Sequence, residues 1–131
     1  MAGALQGKRI LVVEDEYFIA ADLKRALCGT GAEVIGPAGN LAEAQHLAGT
    51  TRLDAAVLDV NLGGTPSFSL AEQLRSDAVP HLFLTGYDSW SIPAGHRTTP
   101  RLPKPFAMPV VMEAIAKLFG GDHEPPLPFS S

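Results

Sequence analysis

Four places in the chain carry side chains that can do chemistry together. Glu14, Asp15 and Glu16 follow one another, Asp59 ends an apolar run, and Thr85 and Lys104 come later beside turn residues. Carboxylates, a hydroxyl and an ammonium are the groups that phosphoryl transfer uses. A carboxylate can serve as the nucleophile toward phosphorus, while a lysine and a hydroxyl bind the oxygens being transferred. Acids gathered in one place repel one another. A hard divalent cation such as Mg²⁺ relieves this through carboxylate oxygens and fills its other positions with water and phosphate oxygens. Each group alone has a plainer explanation. Successive acids commonly sit on a solvated helix start, where the dipole favours them, and an Asp before Gly commonly caps a turn. The fold decides whether the four places meet.

The elements that must position them are legible from hydrophobic period. Residues 9–13, 32–36, 55–58 and 79–84 read as short strands, and residues 101–102 as a very short fifth. Continuous apolar runs such as Ala55-Ala-Val-Leu58 fit strands buried on both faces. Between them lie amphipathic helical patterns. The first covers residues 16–28, with Phe18, Ile19, Leu23, Ala26 and Leu27 inward; Cys28 is expected as a small core residue. The second follows Asn40 as N-cap to about residue 48. The third is opened by Pro66 and runs to about residue 77 with Leu70, Ala71 and Leu74 inward. The last covers roughly residues 108–119. Residues 87–100 contain Pro93, Gly95 and Pro100 and no helical stripe, which disfavours a regular helix. Trp90 there is read either as a partner-facing aromatic or, by preference, as a plug over the core, and Asp88 is expected to serve a turn or cap. Residues 1–7 are expected to be a loose start, and 120–131 a disordered Pro/Gly-rich tail.

This alternation predicts an α/β fold: a doubly wound five-stranded parallel sheet, order 2-1-3-4-5, with an irregular or missing fourth helix. Parallel strands point one way, so their carboxyl ends share an edge. Glu14, Asp15, Asp59, Thr85 and Lys104 would meet there, where such sheets bind ligands.

Composition narrows the function. A chain of 131 residues is one domain by length, and 46% apolar with 18% charged residues is ordinary for a soluble protein. The net charge of −4 argues against a nucleic-acid partner. No apolar run is long enough to span a bilayer, so no membrane role is expected. The single cysteine excludes an intrachain disulfide and fits a reducing, cytoplasmic location. His81, His96 and His123 lack ligand spacing, so no zinc site is read.

Together, Leu11-Val-Val-Glu-Asp-Glu16, Leu58-Asp-Val-Asn-Leu-Gly63, Leu84-Thr-Gly86 and Pro103-Lys-Pro-Phe106 resemble the receiver domain of two-component response regulators, over residues 8–119. The resemblance implies that Asp59 is the phosphoacceptor and that Asp15 binds Mg²⁺ directly. It further implies that Glu14 acts on the metal through water and that Asn61 offers it a main-chain carbonyl. Thr85 is then the hydroxyl that moves toward the phosphoryl group, and Lys104 the cation paired with it. The implied donor is a sensor histidine kinase or phosphotransfer protein; the implied output is binding of a downstream protein target, with homodimerisation open. Many receivers carry an aromatic residue three positions before the lysine; here that residue is Arg101. Phe83-Leu-Thr-Gly-Tyr87 resembles a subgroup with an aromatic-x-Thr-Gly-Tyr motif, which casts Tyr87 as the substitute aromatic and segment 87–100 as the signalling surface. Two other readings stay open. One is a degenerate receiver acting as a constitutive interaction module. The other is a small phosphohydrolase with Asp59 as nucleophile, disfavoured because Asn61 stands where a second acid would be.

Overall fold

The computed structural model of the chain describes residues 2–86 and 92–120. A 3-10 turn (Ala2–Leu5) leads into β1 (Arg9–Val13), α1 (Tyr17–Gly29), β2 (Glu33–Ala38), α2 (Leu41–Thr50) and β3 (Ala55–Asp59). A small hairpin of β4 (Asn61–Leu62) and β5 (Thr65–Pro66) precedes α3 (Phe68–Ser76). Then follow β6 (His81–Thr85), a 3-10 turn (Ala94–His96), β7 (Arg101–Pro103) and α4 (Met108–Gly120). The main sheet is parallel, in the order β2-β1-β3-β6-β7. With the hairpin set aside this is the expected 2-1-3-4-5 order.

Alternation along the strands divides the core into two layers. Leu11, Val13, Ala56, Leu58 and Phe83 face α2 and α3, where Ala44, Leu70 and Leu74 meet them. Ile10, Val12, Val57, Leu82 and Leu84 face the other way, against Leu23 and Leu27 of α1 and Val111 and Ile115 of α4. A strand needs apolar residues at every position to satisfy both layers, and β3 is buried along its whole length. β2 bends where Gly36 takes φ +97°; a Cβ there would lie 2.7 Å from the Ala38 nitrogen and 3.0 Å from the Val12 oxygen. Only glycine fits that bulge.

Several local expectations need correction. The amino-terminal turn is not loose in its described part, because Leu5 is buried in the α1/α4 layer. Phe18 faces solvent at 79% exposure, edge-on to the exposed Tyr17. Cys28 is exposed as well. The inward line of α1 runs through Ala20, Leu23 and Leu27, and Cys28 lies one residue, about 100° around the helix, past it. Pro66 does not open α3, because it pairs with Asn61 in the hairpin, and the helix starts after Ser67. Trp90, Asp88 and the tail 121–131 lie outside the described residues.

The connection from β6 to β7 has no α-helix in its described part, as expected. What holds it is specific. His96 is 2% exposed; its Nε2 lies 2.8 Å from Glu72 Oε2 and its Nδ1 2.9 Å from a guanidinium nitrogen of Arg75. A guanidinium only donates, so Nδ1 accepts and Nε2 carries the proton toward Glu72. The ring stacks on Phe68 at 5.8 Å and meets Phe83 edge-on at 5.9 Å. Arg75 also donates to the Gly95 carbonyl. Arg101 donates to the carbonyls of His96, Arg97 and Thr99 at 3.2, 2.7 and 3.1 Å. The connection is therefore tied to α3 by the buried His96 imidazole and the Arg75–Gly95 bond, and to β7 by the Arg101 guanidinium.

Phe83 is fully buried and touches Phe68, His81 and His96. Phe83→Ala should cost about 3–5 kcal/mol in urea unfolding, the usual loss for a buried aromatic. Cys28→Ser, at an exposed position, should stay within about 0.5 kcal/mol of the parent.

Candidate functional site

The parallel strands deliver the predicted residues to one edge. Glu14 and Asp15 follow β1, Asp59 is the last residue of β3, Thr85 the last of β6, and Lys104 follows β7. β1 pairs with β3 and β3 with β6, Asp59 lying opposite Leu84, so the acids and Thr85 stand on neighbouring strand ends. Thr85 pairs with Pro103, which brings Lys104 one residue beyond, and the Lys104 N–H donates to the Thr85 carbonyl at 2.7 Å.

The centre of the site is the Lys104 ammonium. Its Nζ lies 2.8 Å from Asp59 Oδ2, 3.0 Å from Glu14 Oε1 and 3.3 Å from Glu16 Oε2. Asp59 is 4% exposed and Glu14 2%, whereas Asp15 is open to solvent. The second Asp59 oxygen, Oδ1, accepts the Asn61 N–H at 2.9 Å. Glu14 Oε2 accepts the Glu16 N–H at 3.0 Å. The Asn61 side chain accepts the Gly64 N–H at 2.7 Å, which closes the hairpin turn below the acids. The Thr85 hydroxyl is half-buried and makes a long 3.5 Å contact to the Leu102 carbonyl.

Charge at this edge is unbalanced, with four carboxylates around one ammonium. Burial pushes the Glu14 carboxyl up to about 7, and the charge of Asp59 adds to this; the Glu16 N–H and Lys104 pull the other way. For Lys104, burial disfavours the charged form, but hydrogen bonds to Asp59 and Glu14 outweigh it and hold its pKa above the ordinary lysine value. Glu14, Asp15 and Asp59 each offer an oxygen within 4.8 Å of the others. Glu14 Oε1 is buried and, apart from its ion pair with Lys104, has no hydrogen-bond partner among the described residues. A close set of hard oxygen donors, excess negative charge and a buried acceptor left open fit a divalent cation such as Mg²⁺.

Beside Lys104 opens a groove of about 690 Å³, lined by Glu16, Ile19, Asp22, Pro105, Phe106 and Met108. Reasoning from the sequence missed three contributors. Glu16 joins the ion cluster although only its two predecessors had been given roles. Ser67 is fully buried, and its hydroxyl donates to the Asp59 carbonyl at 2.6 Å. His96 is a buried anchor rather than a stray histidine. Nothing in the types of Ser67 or His96 announces this, since both depend on contacts remote in the chain. Tyr87 lies outside the described residues. No helix among those described is long and apolar enough to cross a membrane.

Comparison with known proteins agrees with this geometry. Residues 10–116 match the family model of the response regulator receiver domain. Response regulator MprA of Mycobacterium sp. (strain KMS) is 36% identical over 130 residues, covering 92% of this chain and 55% of that protein. Transcriptional regulatory protein PdtaR of Mycobacterium tuberculosis is 30% identical over 118 residues, covering 87% of this chain and 58% of that one. The chain thus spans about half the length of these relatives. Among solved structures, SdrG from Sphingomonas melonis Fr1 superimposes with a TM-score of 0.76 at 38% identity, covering 88% of this chain and 98% of that one. The response regulator PhyR from Brucella abortus gives 0.76 at 25% identity, over 91% of this chain and 51% of that one. By its sequence match and its architecture, the chain belongs to the response regulator receiver family.

Proposed function

We propose that this receiver accepts a phosphoryl group on Asp59, in a Mg²⁺-dependent transfer from a phosphohistidine of a sensor kinase or phosphotransfer protein. The supporting observation is the placement of the buried Asp59 carboxylate between the Lys104 ammonium and the acids Glu14 and Asp15. An Asp59 oxygen attacks phosphorus, a P–O bond forms, the P–N bond to the donor imidazole breaks, and that nitrogen keeps the electron pair. Mg²⁺, held by Glu14, Asp15 and Asp59 with the Asn61 carbonyl, would neutralise charge on the phosphoryl oxygens. Lys104 is freed from one carboxylate charge as Asp59 is esterified, and pairs with a phosphoryl oxygen. Thr85 leaves its long contact with Leu102 to bind another. Hydrolysis of the acyl phosphate returns the carboxylate, so the chain modifies only itself and serves as a signalling module.

The groove beside Lys104 is where the donor protein approaches in this reading, and the output passes to a downstream protein through the segment 87–100, of which α3 and Arg101 hold residues 95–99. Tyr87 belongs to that segment and takes the role of the missing aromatic. The receiver unit spans residues 8–119, followed by a tail, and the whole works in the cytoplasm.

Incubation with acetyl phosphate and Mg²⁺, read by intact-mass spectrometry, should add one phosphoryl group to the parent chain. Asp59→Asn should add none, and chelation with EDTA should abolish the gain. A folded parent that gains nothing with Mg²⁺ present would leave a constitutive interaction module as the reading. Lys104→Met should keep the fold and slow the gain by at least tenfold, on the order of 1.4 kcal/mol in the barrier.

The raised Glu14 pKa has a further consequence for the metal-free protein. The folded pKa of about 7 lies above the ordinary 4.5, so the folded state binds the proton more tightly. The resulting stability is complete below pH 4.5 and is lost as pH rises through 7, by an amount on the order of 3 kcal/mol. Urea midpoints of the parent in EDTA should fall across that window. Glu14→Gln should flatten the fall and be the more stable of the two at pH 8.

A further inference from the structure

Ser67 occupies the residue before α3, the place where a serine ordinarily turns its oxygen back onto N–H groups of the first turn. Its side chain makes no such capping bond. The hydroxyl instead donates to the main-chain carbonyl of Asp59, eight residues back, at 2.6 Å in a fully buried setting. The rest of Ser67 is equally committed. Its N–H donates to the Val60 carbonyl at 3.0 Å, and its carbonyl accepts from Leu70 and Ala71 at 3.1 and 3.2 Å. One residue thus closes the hairpin that leaves the site and starts the helix that follows.

The effect falls on Asp59. Its carboxylate is held by the Asn61 N–H at Oδ1 and by Lys104 at Oδ2. Both are bonds to the group that must react, and both change when charge there changes. The bond from Ser67 reaches the main chain instead, so it persists whatever happens at the carboxylate.

We propose that Ser67 is a positioning residue for phosphoryl acceptance: its hydroxyl fixes the Asp59 main chain so that the carboxylate stays aimed between Lys104 and the acids Glu14 and Asp15. This rests on Asp59 being the acceptor. Losing the bond lets the nucleophile drift, and small misplacements of a reacting group cost rate out of proportion to any loss of stability.

The test compares the parent with Ser67→Ala, Ser67→Thr and Ser67→Cys. The rate of acetyl phosphate uptake with saturating Mg²⁺ is corrected for the folded fraction from urea curves. Carbon and amide NMR shifts are recorded at Asp59 and Asn61. Ser67→Ala should slow uptake by the folded protein about tenfold and move the Asn61 amide and the Asp59 carboxyl carbon. Ser67→Thr, which keeps the hydroxyl, should restore most of the rate. Ser67→Cys, nearly isosteric with a weak donor, should fall between, and it decides the matter if the alanine variant does not fold. Parent-like uptake by folded Ser67→Ala, or by Ser67→Cys in its place, overturns the proposal. If the parent itself takes up no phosphoryl group, the acceptor reading fails, and the shifts alone decide. Parent-like Asp59 and Asn61 resonances in Ser67→Ala then overturn the positioning role, and displaced ones uphold it.

Discussion

The Lys104 ammonium lies among three carboxylates, at 2.8 Å from Asp59, 3.0 Å from Glu14 and 3.3 Å from Glu16, and it offsets part of their charge at the sheet edge. Buried carboxylates are costly without a partner, because the protein interior does not replace their hydration. Two of these acids are almost wholly buried. A single ammonium does not balance them, and burial, with the charge of Asp59 added, raises the Glu14 pKa. The edge therefore carries an excess of negative charge that a divalent cation would relieve.

The fold was legible because its signals repeat. Four apolar strand runs and the intervening helical stripes fix an α/β order, and parallel pairing then places Glu14, Asp59, Thr85 and Lys104 together without further information. What remained hidden is of two kinds. Phe18 and Cys28 show that helical period locates a stripe only to within about one residue, or 100° of rotation. Pro66 shows that a residue suited to a helix's first turn can be taken by a hairpin instead. Ser67, His96 and Arg101 belong to the second kind. Their partners lie from two residues away in the chain, as Thr99 does from Arg101, to twenty-eight, as Phe68 does from His96, so neither residue type nor periodicity distinguishes them from solvated polar side chains.

The helix α3 carries more than its length of nine residues suggests. Its start is bonded to Asp59 through Ser67, and its middle presents Glu72 and Arg75 to His96. Phe68, in its first turn, packs against both Phe83 and the His96 ring. The acidic edge and the β6–β7 connection are thus in mechanical contact through one short, well-packed element. An element packed against both places gives a physical route between them.

Among the described residues, Arg101 grips the β6–β7 connection through main-chain carbonyls, those of His96, Arg97 and Thr99. A carbonyl is the same whichever side chain accompanies it. The path of residues 97–99 is therefore held by main-chain groups, through Arg101 from outside the stretch and through the turn bonds of the Arg97 and Thr99 N–H groups. Such a surface can exchange its chemistry during divergence while its contour is inherited unchanged, which separates the evolution of recognition from the evolution of the scaffold.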